Sequence, residues 1–482
     1  MDLLTCDADV LFMIRDYLAK GDLISLCLVR SNLRTLAEPA LYSRVDFNCS
    51  DRPSPSEQTQ IFRRLSKLLR SIVRRPELAA HIRSFECRWS FRHSLDYKTA
   101  WTNVDPDTEA KEAAISFVQK QQAPYRETWV QQLDDGIVDA YVAILLSHPL
   151  PRLRFLSLSH DFFRQSDLIG HVLESILCRP RTRPPTSSLL LLECVELYLW
   201  VNSYANDHDR RNTANILPFL YLPNLQRLQA AIDTPITKTL TWPAPFTPVA
   251  FRLRSVQVRN LRESHLAQLL SVPERLRSLE WHWYYNPGLD NEFNSPVINV
   301  DLIMPALSRH KHALTELCLQ ADFHRRYYDP PYPFRVQGSP RALRGFNQLK
   351  MLTIPLVYLV GFAPFSIKWA IRDCLPPNLE DLALTSELLT RNQPDMRDEE
   401  TFDELSYTRK LRPWLADDVK QFTPRLEKID LFLTEEEPRV PDHIGCREVA
   451  MREELCELAE AAGILLRVCD IRRIRERSIS TS

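Results

Sequence analysis

LRSLEW, residues 276–281, carries the pattern that governs most of this chain. Its fourth and sixth residues, Leu279 and Trp281, alternate with polar neighbours as a half-buried strand requires, and Leu276 anchors the entry to that strand. The same phrase returns as LRFLSL from Leu153, CVELYL from Cys194, LRSVQV from Leu253, LTELCL from Leu314, LKMLTI from Leu349, LEDLAL from Leu379 and LEKIDL from Leu426. IRSFEC from Ile82 is a weaker copy, and LQRLQA from Leu225 keeps the first two anchors. One phrase alone has too little apolar surface to bury its face. Phrases stacked side by side as parallel strands share one continuous core.

Amphipathic stretches lie between the phrases. QSDLIGHVLESIL (165–177) and RESHLAQLLSV (262–272) space their apolar residues by three and four, which predicts helices. Ser264 is a candidate N-cap for the second, and Pro273 stops it. Proline turns precede several strands, in HPLPRL, YLPNL, LPPNL and FTPRL. This alternation of helix, proline turn and LxxLxL strand resembles leucine-rich repeats, which implies a solenoid with a parallel sheet. First-anchor intervals run from 23 residues (Leu253 to Leu276) to 47 (Leu379 to Leu426), and no regular Asn or Cys follows the strand. Such a solenoid would be irregular; the alternative is an ordinary α/β domain in which LxxLxL is a common strand pattern.

At 482 residues the chain exceeds the usual size of one compact core. Its 61 basic and 62 acidic residues nearly cancel, so no global field draws it to nucleic acid or an anionic membrane. Eleven cysteines are scattered without a CxxC pair, and Cys27, Cys87 and Cys318 sit in apolar runs, which reads as reduced core residues. The first residues carry Asp2, Asp7 and Asp9 and no basic n-region, so a cytoplasmic or nuclear location is expected. The longest uncharged run, MLTIPLVYLVGFAPFSI (351–367), is shorter than the roughly 20 apolar residues that span a bilayer, and Pro355, Gly361 and Pro364 break it. A buried strand and a turn are expected there.

The opening of the chain follows another logic. Val10, Leu11, Ile14, Tyr17 and Leu18 fall on one helical face, with Asp7 or Asp9 able to cap its start and Gly21 placed to end it. Asp22 can cap a second helix with Leu23, Leu26, Cys27 and Val29, and Ser31 or Asn32 can begin a third with Leu33, Leu36 and Ala37 inward and Pro39 near its end. About 40 residues is near the lower limit for a self-supporting core. Phe12, Met13, Ile24 and Leu28 are surplus to it and must cover a neighbouring domain or a partner.

The stretch DVLFMIRDYLAKGDLISLCLVRSNLRTLAEPALYSRV (9–45), above all GDLISLCLV followed by LRTLAEPALY, closely resembles the F-box of fungal F-box proteins. That resemblance covers roughly the first 47 residues; leucine-rich repeats cover most of the rest more weakly. It implies a Skp-type adaptor as partner, entry into a cullin–RING (SCF) ubiquitin ligase, and capture of a target protein by the repeats. Matched by position, Val10, Leu11, Ile14, Leu18, Leu23, Leu26, Val29 and Leu41 carry the apolar pattern shared by the F-box core and its adaptor surface. The family motif begins Leu-Pro-x-Glu, whereas Cys6, Asp7, Ala8 and Asp9 stand here, and the lost proline removes a preset helix start. The expected organisation is therefore an α/β chain: an F-box-like three-helix module over 1–47, a linker over 48–60, and an irregular repeat domain with a parallel sheet over 61–472. An insertion falls near 97–133, and a basic tail fills 473–482.

Enzymatic signatures are missing. Nine glycines leave no GxGxxG, P-loop or GxSxG, and the twelve histidines form no HExxH. His310 and His312, two apart, fit a helix end better than a metal; Asp105/Asp107 and Asp207/Asp209 fit solvated turns. No cofactor or metal is expected. Two aromatic clusters remain, WHWYY (281–285) and RRYYDPPYPF (325–334), both at strand exits. They are either core or a target-binding surface, and Trp283, Tyr284, Tyr285, Arg325, Tyr327 and Tyr328 are the candidates for the latter. The competing reading of the whole chain is a leucine-rich-repeat interaction scaffold whose degenerate F-box packs on its own repeats.

Overall fold

The structure is a computed structural model that describes residues 8–48, 54–88, 107–164, 167–178, 189–198, 212–287, 292–323, 334–362, 370–388, 404–433 and 442–470. It is an α/β protein with parallel strands. The chain divides into two compact units, Met1–Ala230 with Thr241–Arg252, and Ala231–Leu240 with Leu253–Ser482.

In the first unit, strands β1 (Arg44–Asp46), β2 (Ser84–Cys87), β3 (Phe155–Ser159), β4 (Cys194–Tyr198) and β5 (Arg227–Ala231) pair in chain order, all parallel. In the second, β6 (Ser255–Arg259), β7 (Ser278–Tyr285), β9 (Glu316–Phe323), β11 (Met351–Pro355), β12 (Asp381–Thr385), β13 (Lys428–Leu433) and β14 (Leu465–Asp470) do the same. Two short strands, β8 (Val297–Asn299) and β10 (Arg335–Gln337), form a separate parallel pair.

Every phrase identified in the sequence lies on one of these strands, and the pairing puts the phrases in register. Ser84, Phe155, Cys194 and Arg227 are successive partners; so are Ser255, Ser278, Glu316, Met351, Asp381 and Lys428. That alignment corrects the fourth-strand phrase. Cys194 occupies the third place rather than the first, so the phrase is LECVEL, with Leu192 as anchor and Val195 and Leu197 inward. The apolar run LLLLECVELYL hides this frame, because several leucines compete for the first place. Leu192 and the other nine anchors (Ile82, Leu153, Leu225, Leu253, Leu276, Leu314, Leu349, Leu379 and Leu426) are fully buried. The same register adds two copies at the margins, YSRVDF (42–47) on β1 and GILLRV (463–468) on β14.

A main-chain device holds the register. In most phrases the carbonyl of the second residue accepts from two consecutive amides of the next phrase: Arg154 O from Glu193 and Cys194, Glu193 O from Gln226 and Arg227, Lys350 O from Glu380 and Asp381. The same fork recurs at Ser43, Arg83, Arg254, Arg277, Thr315 and Glu380. A tight turn delivers many of the anchors, as where Leu153 N donates to Leu150 O and Leu426 N to Thr423 O. Both lone pairs of a carbonyl are thus used where strand begins, and no buried amide is orphaned there.

The intervening helices form as their patterns predict, Leu168–Leu177 and Glu263–Leu270 among them. Ser264 is not the cap of the latter: Arg262 takes that place without a side-chain bond, and Ser264 sits inside the first turn beside the His265 ring. His310 meets a helix end, but a different one. Its Nε2 lies 2.8 Å from the carbonyl of Leu270, the last residue of Glu263–Leu270, and its Nδ1 lies 3.5 Å from Leu276 N. An imidazole protonated at Nε2 satisfies both, joining a helix end to the next strand's anchor. The run over 351–367 opens as the buried strand β11 and continues as a short buried helix, Leu356–Val360, which Gly361 ends at φ 62°.

The first 47 residues do not stand apart from the repeat region, because β1 pairs with β2 and Glu38 is forked to Arg75 (2.8 and 2.9 Å). Residues 61–472, expected as one repeat region, are shared between the two compact units. The end of the linker expected over 48–60 is helix from Pro55 on: Ser54 caps helix α4 (Pro55–Arg74) through Glu57 N, and Pro55 fits its first turn. The insertion contributes helices Thr108–Gln119 and Arg126–Asp134, pinned by Arg70 to Asp107 (2.9 Å) and by buried Trp129, whose Nε1 donates to Ala140 O. The basic tail and residues 97–106 lie outside the described residues.

Candidate functional site

Three helices open the chain: α1 (Ala8–Asp16), α2 (Lys20–Val29) and α3 (Ser31–Leu41). Gly21 does not end the first helix but lies inside the second. Asp22 reaches back from the third place of α2 to accept from Ala19 N at 3.3 Å, so it closes the helix start from within rather than capping it. Arg34 Nε donates to Cys27 O at 3.1 Å, tying α3 to the end of α2. The Glu38–Arg75 fork, with Arg75 Nε also on Glu77, fixes α3 to the turn that precedes β2; the Arg75 guanidinium holds the Glu38 carboxyl below the usual carboxylate range. Burial pushes the Cys27 thiol up, which keeps it protonated and unreactive.

The core of this trio is small: Leu23, Leu33 and Ala37 are buried, and Leu11, Leu18, Leu26, Cys27, Leu36 and Leu41 half-buried. Seven large apolar side chains among the trio's described residues face water. Val10, Met13 and Ile14 on α1 and Tyr17 just past its end follow the three- and four-residue spacing of a single stripe and are 39, 60, 39 and 91% exposed. On α2, Ile24 and Leu28 stand one turn apart at 50 and 77%, with Val29 at 72%. Exposed apolar residues are ordinarily scattered singly over a protein surface, whereas here they fall in two groups at helical spacing. Of the eight residues matched to the F-box pattern, Val10, Ile14 and Val29 are exposed, Leu11, Leu18, Leu26 and Leu41 half-buried, and Leu23 buried. Met13, Tyr17, Ile24 and Leu28, outside the matched set, are exposed as well; for Met13, Ile24 and Leu28 the surplus of apolar residues over what a small core holds was the signal.

The aromatic candidates go the other way. Trp283 is fully buried, and Tyr284 and Tyr285 are 7 and 8% exposed, so these three are core rather than a target-binding surface. Phe334 covers them: its ring meets Trp283, Tyr285 and Phe323 edge-on at centroid distances of 6.0, 5.8 and 5.0 Å. Beneath lies Arg262, 2% exposed, its guanidinium 4.7 Å from the Trp283 ring, paired with Glu263 and donating to the carbonyls of Ser295 and Val297. Phe334 and Arg262 thus both pack on the face of β7 that carries Trp283 and Tyr285. Arg325, Tyr327 and Tyr328 lie outside the described residues.

Titratable groups on the strand faces are tuned by burial. On β7 the Glu280 carboxyl is pushed up by desolvation, against Arg259 and a 2.6 Å bond from Gln257. The neighbouring Cys318 thiol is pushed up further, and the Cys178, Cys194 and Cys374 thiols rise to about 12, which makes them inert as nucleophiles. Among the described residues no group of three His, Cys, Asp or Glu side chains is placed to hold a metal ion, and no helix is long and apolar enough to cross a membrane. No protein-family model matches this chain, and no curated protein matches it in sequence.

Proposed function

We propose that this chain is the substrate-recognition subunit of an SCF-type cullin–RING ubiquitin ligase. In this reading α1–α3 are an F-box that docks a Skp-type adaptor, and the strands and helices that follow are an irregular leucine-rich-repeat solenoid that holds the target. The observation that carries it is the pair of exposed stripes, Val10–Met13–Ile14–Tyr17 along α1 and just past its end, and Ile24–Leu28–Val29 on α2. A partner that supplies the missing half of a core has to meet a surface of this kind. The rival scaffold needs the first helices to spend their apolar side chains on the chain's own repeats; the exposure of the stripes speaks against it. The mechanism is proximity rather than chemistry: a target held beside a ubiquitin-loaded enzyme meets it at high effective concentration.

The test is co-purification of the full chain with a Skp-type adaptor. Wild type should bind stoichiometrically, and Met13→Asp and Leu28→Asp, at side chains that pack on little of the chain itself, should abolish binding while melting like wild type. A well-folded wild type that ignores the adaptor, or aspartate variants that bind it normally, would reject the assignment.

A further inference from the structure

The first unit contains a cleft of about 640 Å³ that the ligase reading leaves unused. One wall is the helix Leu168–Leu177, whose three- and four-residue spacing sets His171, Glu174 and Cys178 along one face. Tyr125 stacks on His171 with ring centroids 5.3 Å apart and planes 19° from parallel. Pro243 and Pro245 form part of the lining. Their fixed φ angles keep that part shaped before anything enters, which lowers the entropy cost of binding.

We propose that this cleft binds an arginine side chain carried by a partner polypeptide. Glu174 is exposed at the cleft and has no salt bridge or side-chain hydrogen bond among the described residues, so its carboxylate is available to a cation. The stacked Tyr125 and His171 rings line the cleft with it; they cover one another's facing sides, and His171, the more exposed ring, is the one left to stack on a further plane. A guanidinium is the cation that uses both features at once: its plane stacks on an aromatic face, and its fork of N–H donors meets a carboxylate in two bonds. A lysine ammonium would gain the charge but little of the stacking, and phosphate or carboxylate groups would be repelled by Glu174. The inference goes beyond the ligase reading and does not depend on it, since no adaptor takes part.

The full-length chain is titrated calorimetrically, into the millimolar range, with a short capped glycine peptide bearing one central arginine, and with counterparts bearing citrulline or lysine. The arginine peptide should bind saturably and weaken as salt rises. The citrulline peptide, neutral and nearly isosteric, and the Glu174→Gln variant should each lose about tenfold, the scale of one charge-assisted pair. Tyr125→Ala should weaken arginine more than lysine. Unchanged circular dichroism of Glu174→Gln, an exposed site, keeps its result interpretable. Absence of arginine-peptide binding to wild type, equal affinity for arginine and citrulline peptides, or indifference to Glu174→Gln would overturn the proposal. Free arginine binding as tightly as the peptide would overturn its assignment to a polypeptide.

Discussion

The aromatic end of β7 and the first two helices invert what their sequences suggest. WHWYY contains residues favoured at interfaces, yet Trp283, Tyr284 and Tyr285 are enclosed, while the aliphatic residues of α1 and α2 stand in water. The difference lies in what each element is offered as cover. The end of this strand pairs with β9 through Trp283, Tyr284 and Tyr285, and a chain segment, through Phe334, lies over one face. Two helices about ten residues long have one another and α3, which hides one stripe of each and leaves the other. Residue type proposes a contact; the number of neighbouring elements decides whether the chain itself provides it.

The comparison is broken most directly at Trp283. If it is core, Trp283→Ala should cost about 3–5 kcal/mol, measured by urea unfolding, because it removes a large buried ring and the platform under Arg262. A loss below about 1 kcal/mol would return it to the surface.

A smaller effect is expected at His310, and it depends on pH. Burial lowers its pKa below the ordinary 6.5, so the folded chain favours the neutral ring. Above that value both states are neutral. As pH falls through it the unfolded chain takes up the proton first, so stability is lost down to the folded-state pKa. The urea midpoint should therefore drop between about pH 7.5 and about pH 5.5, and the drop should be smaller in His310→Gln. An equal drop in both would assign the pH dependence elsewhere, His148 and His265 being lowered by the same cause.

The smallest effect sharpens the other side of the comparison. Leu28→Asp should change stability by no more than about 0.5 kcal/mol, the range of ordinary surface substitutions, even though the same variant should eliminate adaptor binding. A loss of more than about 2 kcal/mol would place Leu28 in the core of the chain itself.

Much of the strand layout was legible because its signal repeats: Leu276, Leu279 and Trp281 state a rule that Leu349, Leu352 and Ile354 restate. The frame at β4 was not, since in LLLLECVEL the choice among Leu189, Leu190, Leu191 and Leu192 depends on pairing with Phe155, a partner distant in sequence. The marginal copies on β1 and β14 were missed because their first places hold Tyr42 and Gly463, neither fully buried. Gly21 misled for a local reason. It has the chemistry of a helix end, but a helix beginning at Lys20 absorbs it in the first turn, where the amide lacks an intrahelical partner anyway. The candidate interface was half legible: the excess of apolar residues in α1 and α2 was countable, but which of them face water depends on how α3 is clamped by Arg75.

The forked carbonyls at the second place of most phrases have a consequence for how such a chain can change over generations. They belong to peptide groups, so the residues that bear them (Ser43, Arg83, Arg154, Glu193, Thr315, Lys350) are free to differ in charge and size. The segments between strands are likewise free to gain or lose residues, since nothing in the fork counts the distance travelled before the chain returns. An architecture fastened this way tolerates insertions and drift in its spelling while its geometry stays put.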